Sequence, residues 1–175
     1  MSKPNHAYCS GAIKKRSGDS GCGAIIYLNN SPESTVELIC PLGIGTLEEA
    51  EYCSVVMVMD DTHTRMNVDK LIIYTDSELV ANQVNGKQEC KTPRLRPYLD
   101  LIRRLLQQHQ PGWVVEWISP AQNSVAQRFA NKALRTDVVY HNMTPRKYLD
   151  ACIETIDKHD KKKTTSKNVE SSSID

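Results

Sequence analysis

The chain has 175 residues, of which 39% are hydrophobic and 25% charged, which is typical of a globular protein with one domain and a short appendage. The net charge of +1 excludes a generally basic protein that coats nucleic acid, so any polyanion binding must come from local clusters of cations. The sequence has no apolar run of about 20 residues and no hydrophobic leader segment, which predicts an intracellular location without membrane insertion.

Three short strands are predicted after an N-terminal extension of residues 1–6. They lie at residues 7–13, 22–28 and 35–40, because each of these apolar segments ends at a polar turn. Short strands joined by tight turns form an antiparallel meander.

Helices and strands then alternate. A helix is predicted from residue 47 to about residue 60, because Thr46 and Glu49 match the capping box that begins many helices. A continuously apolar strand, buried on both faces, is predicted next. This strand lies at residues 71–74. It is followed by two helices at 78–84 and 92–108, a strand at 113–118 and a last helix at 124–135.

This order predicts an α/β domain over residues 7–135. Its mixed five-stranded sheet combines an antiparallel three-strand meander with parallel strands and is flanked by helices. Within it, Asn123 is expected to cap the last helix. Trp113 and Trp117 are expected to lie in the core rather than to form a platform for stacking bases.

A second unit follows at residues 136–160, a linker and an amphipathic C-terminal helix that begins at Thr144 and Pro145. Its apolar stripe either packs on its own domain or binds a protein partner, and we assign it as a candidate partner surface. The stripe consists of Tyr148, Leu149, Cys152, Ile153 and Ile156. Residues 161–175 are too polar to bury apolar surface, and a disordered tail is predicted there.

The six cysteines show no Cys-x-x-Cys spacing. We expect them to be buried free thiols rather than a zinc site or a disulfide framework. They are Cys9, Cys22, Cys40, Cys53, Cys90 and Cys152.

Two carboxylates are conspicuous on physical grounds. Asp76 ends an apolar strand and should emerge at the carboxyl edge of the sheet, where α/β proteins bind ligands. Glu51 shares a helix face with Val55 and Val58, where an unpaired charge is costly. The alternatives are a helix N-cap for Asp76 and a solvated first-turn acid for Glu51.

Four segments, in this order along the chain, resemble motifs of the ribonuclease H type I family, and together they cover about three quarters of the chain. They are Ser10-Gly11-Ala12 with Gly21-Cys22-Gly23, Thr46-Leu47-Glu48-Glu49-Ala50-Glu51, Tyr74-Thr75-Asp76-Ser77, and the last strand and helix from Trp117 to Leu134. The resemblance implies the ribonuclease H fold. It also implies, for the family, cleavage of the RNA strand of RNA–DNA hybrids by two Mg²⁺ ions held by four acidic residues.

Carried over residue by residue, the resemblance leaves that acidic set incomplete. Glu51 and Asp76 match two of the four acidic residues, but Ser10 and Gln127 stand where the other two aspartates are expected. Mg²⁺ needs hard anionic oxygens, and two metals must be held for the chemistry. We therefore predict no intact catalytic set and no required cofactor; Glu51 and Asp76 alone would hold at most one Mg²⁺ or Mn²⁺ ion weakly.

A basic cluster suggests where nucleic acid would bind. Lys87, Lys91, Arg94 and Arg96 are the candidate contacts, with Arg103, Arg104 and residues 14–16 as further cations. They either contact phosphates or form a solvated surface.

The sequence thus predicts a catalytically inactive or strongly impaired ribonuclease H-fold module that binds a protein partner, RNA or an RNA–DNA hybrid, and not a small-molecule substrate. The alternative is an active RNA–DNA hybrid endonuclease with a reduced carboxylate set.

Overall fold

The computed structural model describes residues 3–135 and 142–172. Five strands form one sheet in the order β3-β2-β1-β4-β5. The strands are β1 (Asn5–Ile13), β2 (Asp19–Tyr27), β3 (Thr35–Ile44), β4 (Leu71–Thr75) and β5 (Trp113–Trp117). β1, β2 and β3 pair antiparallel, while β4 runs parallel to β1 and β5 parallel to β4. The predicted mixed five-stranded sheet is confirmed.

Among the described residues, five α-helices flank the sheet directly or pack on a helix that does. They are α1 (Leu47–Thr64), α2 (Glu78–Val84), α3 (Arg96–Gln108), α4 (Ser124–Ala133) and α5 (Pro145–Ser171). α1 and α4 pack directly on β1 and β2, and α3 and α5 pack on α1. Because α1 is enclosed by the sheet and by other helices, it is buried almost all round, from Ala50 to Met59.

The start of α1 is as predicted. The Thr46 hydroxyl accepts a hydrogen bond from the Glu49 amide at 3.2 Å, and the Glu49 carboxylate accepts one from the Thr46 amide at 3.0 Å. This capping box satisfies two amide groups that the first helical turn leaves unpaired. The helix continues to Thr64, past the predicted end near residue 60.

Three local predictions are corrected. β1 begins at Asn5, so residues 5 and 6 belong to the sheet and not to the N-terminal extension. Trp113 is buried, but Trp117 is 48% exposed, because it lies at the very end of β5. Asn123 precedes α4 without capping it; its side-chain amide donates instead to the Cys9 carbonyl at 2.9 Å.

α5 packs on its own domain. Leu149, Cys152 and Ile156 are buried in the core, and Tyr148 and Ile153 are partly buried against it. The prediction that this stripe binds a partner is therefore corrected, because α1 already covers it. The segment predicted as a linker lies at residues 136–141, outside the described residues.

The prediction of a disordered tail is wrong for residues 161–171. α5 continues through them as a helix, although their side chains are exposed. A helix that tertiary contacts have already nucleated extends at little further cost, because each added residue forms one more backbone hydrogen bond. Residues 173–175 lie outside the described residues.

Polar contacts also hold α5 in place. The Arg104 guanidinium donates to the Asp157 carboxylate at 2.7 Å, and a ring nitrogen of His63 lies 2.7 Å from the Asp160 carboxylate. His109 lies beside these polar contacts, and its ring stacks on that of Trp113 with ring centroids 3.7 Å apart. Burial lowers the pKa of His109 to about 4, so its imidazole is neutral at pH 7.

The cysteines are free thiols, and all are buried except Cys40, which is partly exposed. Burial raises the pKa of the Cys9 and Cys152 thiols to about 12, which suppresses the reactive thiolate. Within the part of the chain that the structure describes, every helix is too short or too polar to cross a bilayer.

We expect Ile156→Ala to lower the free energy of unfolding by about 2–5 kcal/mol, because it removes buried methyl groups between α5 and α1. The matched control is Val169→Ala in the exposed part of α5, where Val169 is 63% exposed; it should change stability by less than about 0.5 kcal/mol. Urea unfolding followed by circular dichroism measures both variants. Equal midpoints for the two would show that α5 does not pack on the domain.

Candidate active site at the carboxyl edge of the sheet

The candidate site is built around Asp76, which follows the last residue of β4. Cys9 of β1 pairs with Thr75 of β4, so the next residue of each strand, Ser10 and Asp76, lie side by side at the sheet edge. The Ser10 hydroxyl donates to the Asp76 carboxylate, at 3.2 Å from Oδ1 and 3.3 Å from Oδ2. The sheet register therefore brings together two positions separated by 66 residues in the sequence.

Ser77, not Asp76, caps α2. The Ser77 hydroxyl accepts a hydrogen bond from the Val80 amide at 3.3 Å and donates one to the Glu51 carboxylate at 2.6 Å. Of the two roles that the sequence allowed for Asp76, the N-cap is therefore excluded. Ser77 itself was not among the predicted site residues, and only its place in an Asp-Ser motif could have indicated it.

Gly11 determines how closely Glu51 approaches the sheet. A Cβ atom at Gly11 would overlap the backbone of Ala50 and Glu51, so only glycine lets α1 pack this closely on β1. Glu51 is consequently half-buried rather than a solvated first-turn acid. Burial raises the pKa of its carboxyl, an effect that the nearby charge of Asp76 reinforces and the hydrogen bond from Ser77 opposes.

Gln127 reaches the site from the opposite face of the sheet. A Cβ atom at Gly23 would overlap the backbone of Phe129 and Ala130, so this glycine permits close packing of α4. The Gln127 side-chain amide then donates to Asp76 Oδ2 at 2.7 Å and to the Pro120 carbonyl at 3.2 Å. If the Gln127 side chain were flipped so that its oxygen faced Asp76, two hydrogen-bond acceptors would face each other.

The structure thus places all four predicted positions at one edge of the sheet. Asp76 accepts hydrogen bonds from Ser10 and Gln127, and Glu51 accepts one from Ser77. Two negative groups are held here by neutral donors. Such donors stabilise a carboxylate by charge-assisted hydrogen bonding without bringing a charge of their own.

This donor set does not fit a pair of divalent ions. Magnesium requires several oxygen ligands in octahedral geometry and is bound in proteins chiefly through carboxylates. The site offers two carboxylates, and both oxygens of Asp76 already accept hydrogen bonds from Ser10, one of them also from Gln127. A hydroxyl and an amide supply none of the negative charge that would offset two dications.

The predicted basic cluster separates into two groups. Lys87, Lys91, Arg94 and Arg96 are exposed, and none forms a salt bridge among the described residues. Arg103 and Arg104, by contrast, are held by internal partners, the Gln83 carbonyl and the Asp157 carboxylate. Lys91 and Arg94 line a surface groove that also includes Thr46 and Glu48 at the start of α1. This groove therefore begins one helical turn before Glu51.

We expect Glu51→Gln to be more stable than the wild type at pH 7. Because the pKa of Glu51 is raised in the folded state, the folded protein binds more protons than the unfolded chain as the pH rises above 4.5. The wild type therefore loses stability over that pH range, and the variant, which has no carboxyl group at this position, does not. The gain should fade as the pH falls below the usual glutamate value. Urea titrations at several pH values test this, with Glu37→Gln, the same substitution at an exposed position on β3, as the control.

Comparison with known proteins agrees with the fold. Residues 8–133 match the model of the reverse transcriptase-like family. EbsB of Enterococcus faecalis, whose name classes it as a hydrolase, is 30% identical over 129 residues, which cover 73% of this chain and 92% of that protein. The bifunctional protein Rv2228c of Mycobacterium tuberculosis is 27% identical over 124 residues, which cover 71% of this chain but only 34% of that protein.

Among solved structures, ribonuclease H1 of the archaeon Halobacterium salinarum is similar to this chain with a TM-score of 0.66 and 27% identity. The similarity covers 75% of this chain and 98% of the archaeal one. The match to the family model, over residues 8–133, spans the strands and helices that build the candidate site. The chain therefore belongs to the reverse transcriptase-like family and has the ribonuclease H fold.

Proposed function

We propose that this chain is a nucleic-acid-binding module of ribonuclease H fold in which hybrid cleavage is absent or strongly impaired. The observation that carries the proposal is the pair of neutral side chains on Asp76, the Ser10 hydroxyl and the Gln127 amide. They stand where the resemblance to ribonuclease H expects two metal-binding aspartates.

The expected loss of activity follows from charge. Two-metal catalysis depends on ions that activate water and stabilise the leaving oxygen, a contribution of several kcal/mol. A loss of about 4 kcal/mol slows a reaction roughly a thousandfold. Since the site lacks half of the expected negative charge, we propose no catalytic step for Glu51 or Asp76 in this chain.

Binding is supported by the surface around the same edge. Lys91 and Arg94 line the groove that also contains Glu48, one helical turn before Glu51, and Lys87 and Arg96 are exposed close to them in the sequence. The turn that joins β1 and β2, residues 14–16, adds three exposed cations about 13 Å along the chain from Ser10. Phosphate binding needs such unpaired cations, because counterion release drives it.

Trp117 adds an aromatic surface at this edge. It pairs with Thr75 in the sheet, one residue before Asp76, and is 48% exposed. An exposed indole beside cations suits single-stranded nucleic acid, on whose bases it can stack. Because the stripe on α5 is buried, the proposal rests on nucleic acid and not on a protein partner.

The second candidate function is that of an active RNA–DNA hybrid endonuclease. The observation that favours it is the retention of Glu51 and Asp76 at one site, close enough for the charge of Asp76 to raise the pKa of Glu51. Two carboxylates can hold one divalent ion, but they leave the second ion without its anionic ligands.

We expect the wild type to cleave an RNA–DNA hybrid at least about a thousandfold more slowly than the double variant Ser10→Asp/Gln127→Asp. The double variant places carboxylates at both neutral positions and so restores the charge of the site. Cleavage of a labelled hybrid in Mg²⁺ and in Mn²⁺ measures both proteins.

The control adds Asp76→Asn to the double variant, which should abolish the regained activity. If instead the wild type cleaves as fast as the double variant, and Asp76→Asn abolishes that wild-type activity, the second candidate function is correct.

We expect the fourfold alanine variant of Lys87, Lys91, Arg94 and Arg96 to bind an RNA–DNA hybrid more weakly than the wild type. The slope of log affinity against log salt concentration should also become shallower, by about 0.7–0.9 for each phosphate that the variant no longer neutralises. Fluorescence anisotropy at several salt concentrations gives both quantities.

The matched control removes the same number of cations from α5, at Lys158, Lys161, Lys162 and Lys167, which are exposed and lie towards the other end of α1. It should keep the wild-type affinity and slope. Equal decreases in affinity for the two variants would show non-specific attraction instead of a binding surface.

A further inference from the structure

A group of histidines lies near the end of α1, away from the candidate active site. His63 is 7% exposed, and one of its ring nitrogens, Nδ1, lies 2.8 Å from Nε2 of His109. Its other ring nitrogen, Nε2, lies 2.7 Å from Oδ1 of Asp160 in α5, and the ring of His159 is 5.2 Å away between centroids. His63 lies twelve positions after Glu51 on α1, a rise of about 18 Å along the helix.

Three of these side chains have the geometry of metal ligands. One ligand atom from each of His63, His159 and Asp160 lies within 4.8 Å of the others. Tetrahedral Zn²⁺ binds nitrogen and oxygen at about 2.0–2.2 Å, which puts neighbouring ligand atoms about 3.3 Å apart. Small side-chain rotations would therefore bring all three onto one ion.

His159 supplies an independent observation. Its Nε2 atom is buried and has no hydrogen-bond partner among the described residues. A buried polar atom without a partner is destabilising, and native proteins rarely leave one unsatisfied. A bound ion would satisfy this nitrogen.

The surroundings orient the other two ligands. His63 Nδ1 is engaged by His109, which is itself held by its stacking on Trp113. The second Asp160 oxygen faces Gln108 Nε2 at 3.4 Å and Arg104 Nη2 at 3.8 Å, which leaves Oδ1 turned towards His63. Such outer partners fix the ring and carboxylate orientations in metal sites.

We propose that His63, His159 and Asp160 bind a divalent transition-metal ion, Zn²⁺, that fastens α5 to α1. Two imidazole nitrogens and one carboxylate oxygen suit Zn²⁺ and not Mg²⁺ or Ca²⁺, which prefer oxygen throughout. The ion would bind His63 through Nε2 and Asp160 through Oδ1, with the imidazole proton of His63 on Nδ1 facing His109 Nε2, and a solvent molecule would take the fourth position. The charges of Arg104 and Lys163 oppose the ion, so the ligands must outweigh them.

The test is a Zn²⁺ titration of the full chain against a chromogenic chelator, together with thermal unfolding and the visible spectrum of the Co²⁺ form. We expect one ion per chain, a Tm that rises with Zn²⁺ concentration, and the absorption of four-coordinate Co²⁺. His159→Ala and Asp160→Asn should each weaken binding at least tenfold and abolish the Zn²⁺-dependent rise in Tm. Both positions are half-buried, and circular dichroism confirms folding.

Two controls locate the ion. Asp157→Asn removes a carboxylate one turn earlier on α5, where it pairs with Arg104, and should leave Zn²⁺ binding unchanged. Glu51→Gln should do the same, since the site does not depend on the function proposed above. The proposal is overturned if the wild type binds no Zn²⁺, or if His159→Ala and Asp160→Asn bind it as the wild type does.

Discussion

The hydrogen bonds on Asp76 are the interaction on which the candidate site depends. A carboxylate at the carboxyl edge of a sheet, beside a second half-buried carboxylate, must be stabilised by positive charge or by hydrogen-bond donors. Here the donors are a hydroxyl from β1 and an amide from α4, which approach Asp76 from different elements. The negative charge of Asp76 is therefore stabilised by hydrogen bonds from neutral side chains within the chain.

Close packing makes these hydrogen bonds possible. Gly11 and Gly23 lie on neighbouring strands but face opposite sides of the sheet, and each allows one helix to approach where a side chain would obstruct it. α1 thereby brings Glu51 to the edge from one side, and α4 brings Gln127 from the other. In this chain the two glycines thus set how closely the helices approach, and the side chains at the edge set its chemistry.

α5 connects this frame to the second cluster. It packs beside α1 from Pro145, whose carbonyl accepts a hydrogen bond from Cys53, to Asp160, which contacts His63. The apolar stripe should supply most of the free energy that holds α5 on the domain, since Leu149 and Ile156 are fully buried. The polar contacts at its far end are few and partly exposed, so a ligand that bound there would change how firmly the helix is held.

From the sequence alone, periodicity and caps determined the fold class and the capped start of α1, because they are local properties. The resemblance of four ordered motifs to ribonuclease H indicated the four positions at the sheet edge, Ser10, Glu51, Asp76 and Gln127. The sequence left open whether Asp76 capped a helix and whether the stripe of α5 faced a partner, since both depend on contacts between distant segments. Only the tertiary structure decided these points. It shows that Ser77 caps α2 and that the stripe of α5 packs on α1. The histidine cluster could not be predicted from the sequence for the same reason. Its members, His63, His109 and His159, are separated by 46 and 50 residues and meet only through contacts between distant segments.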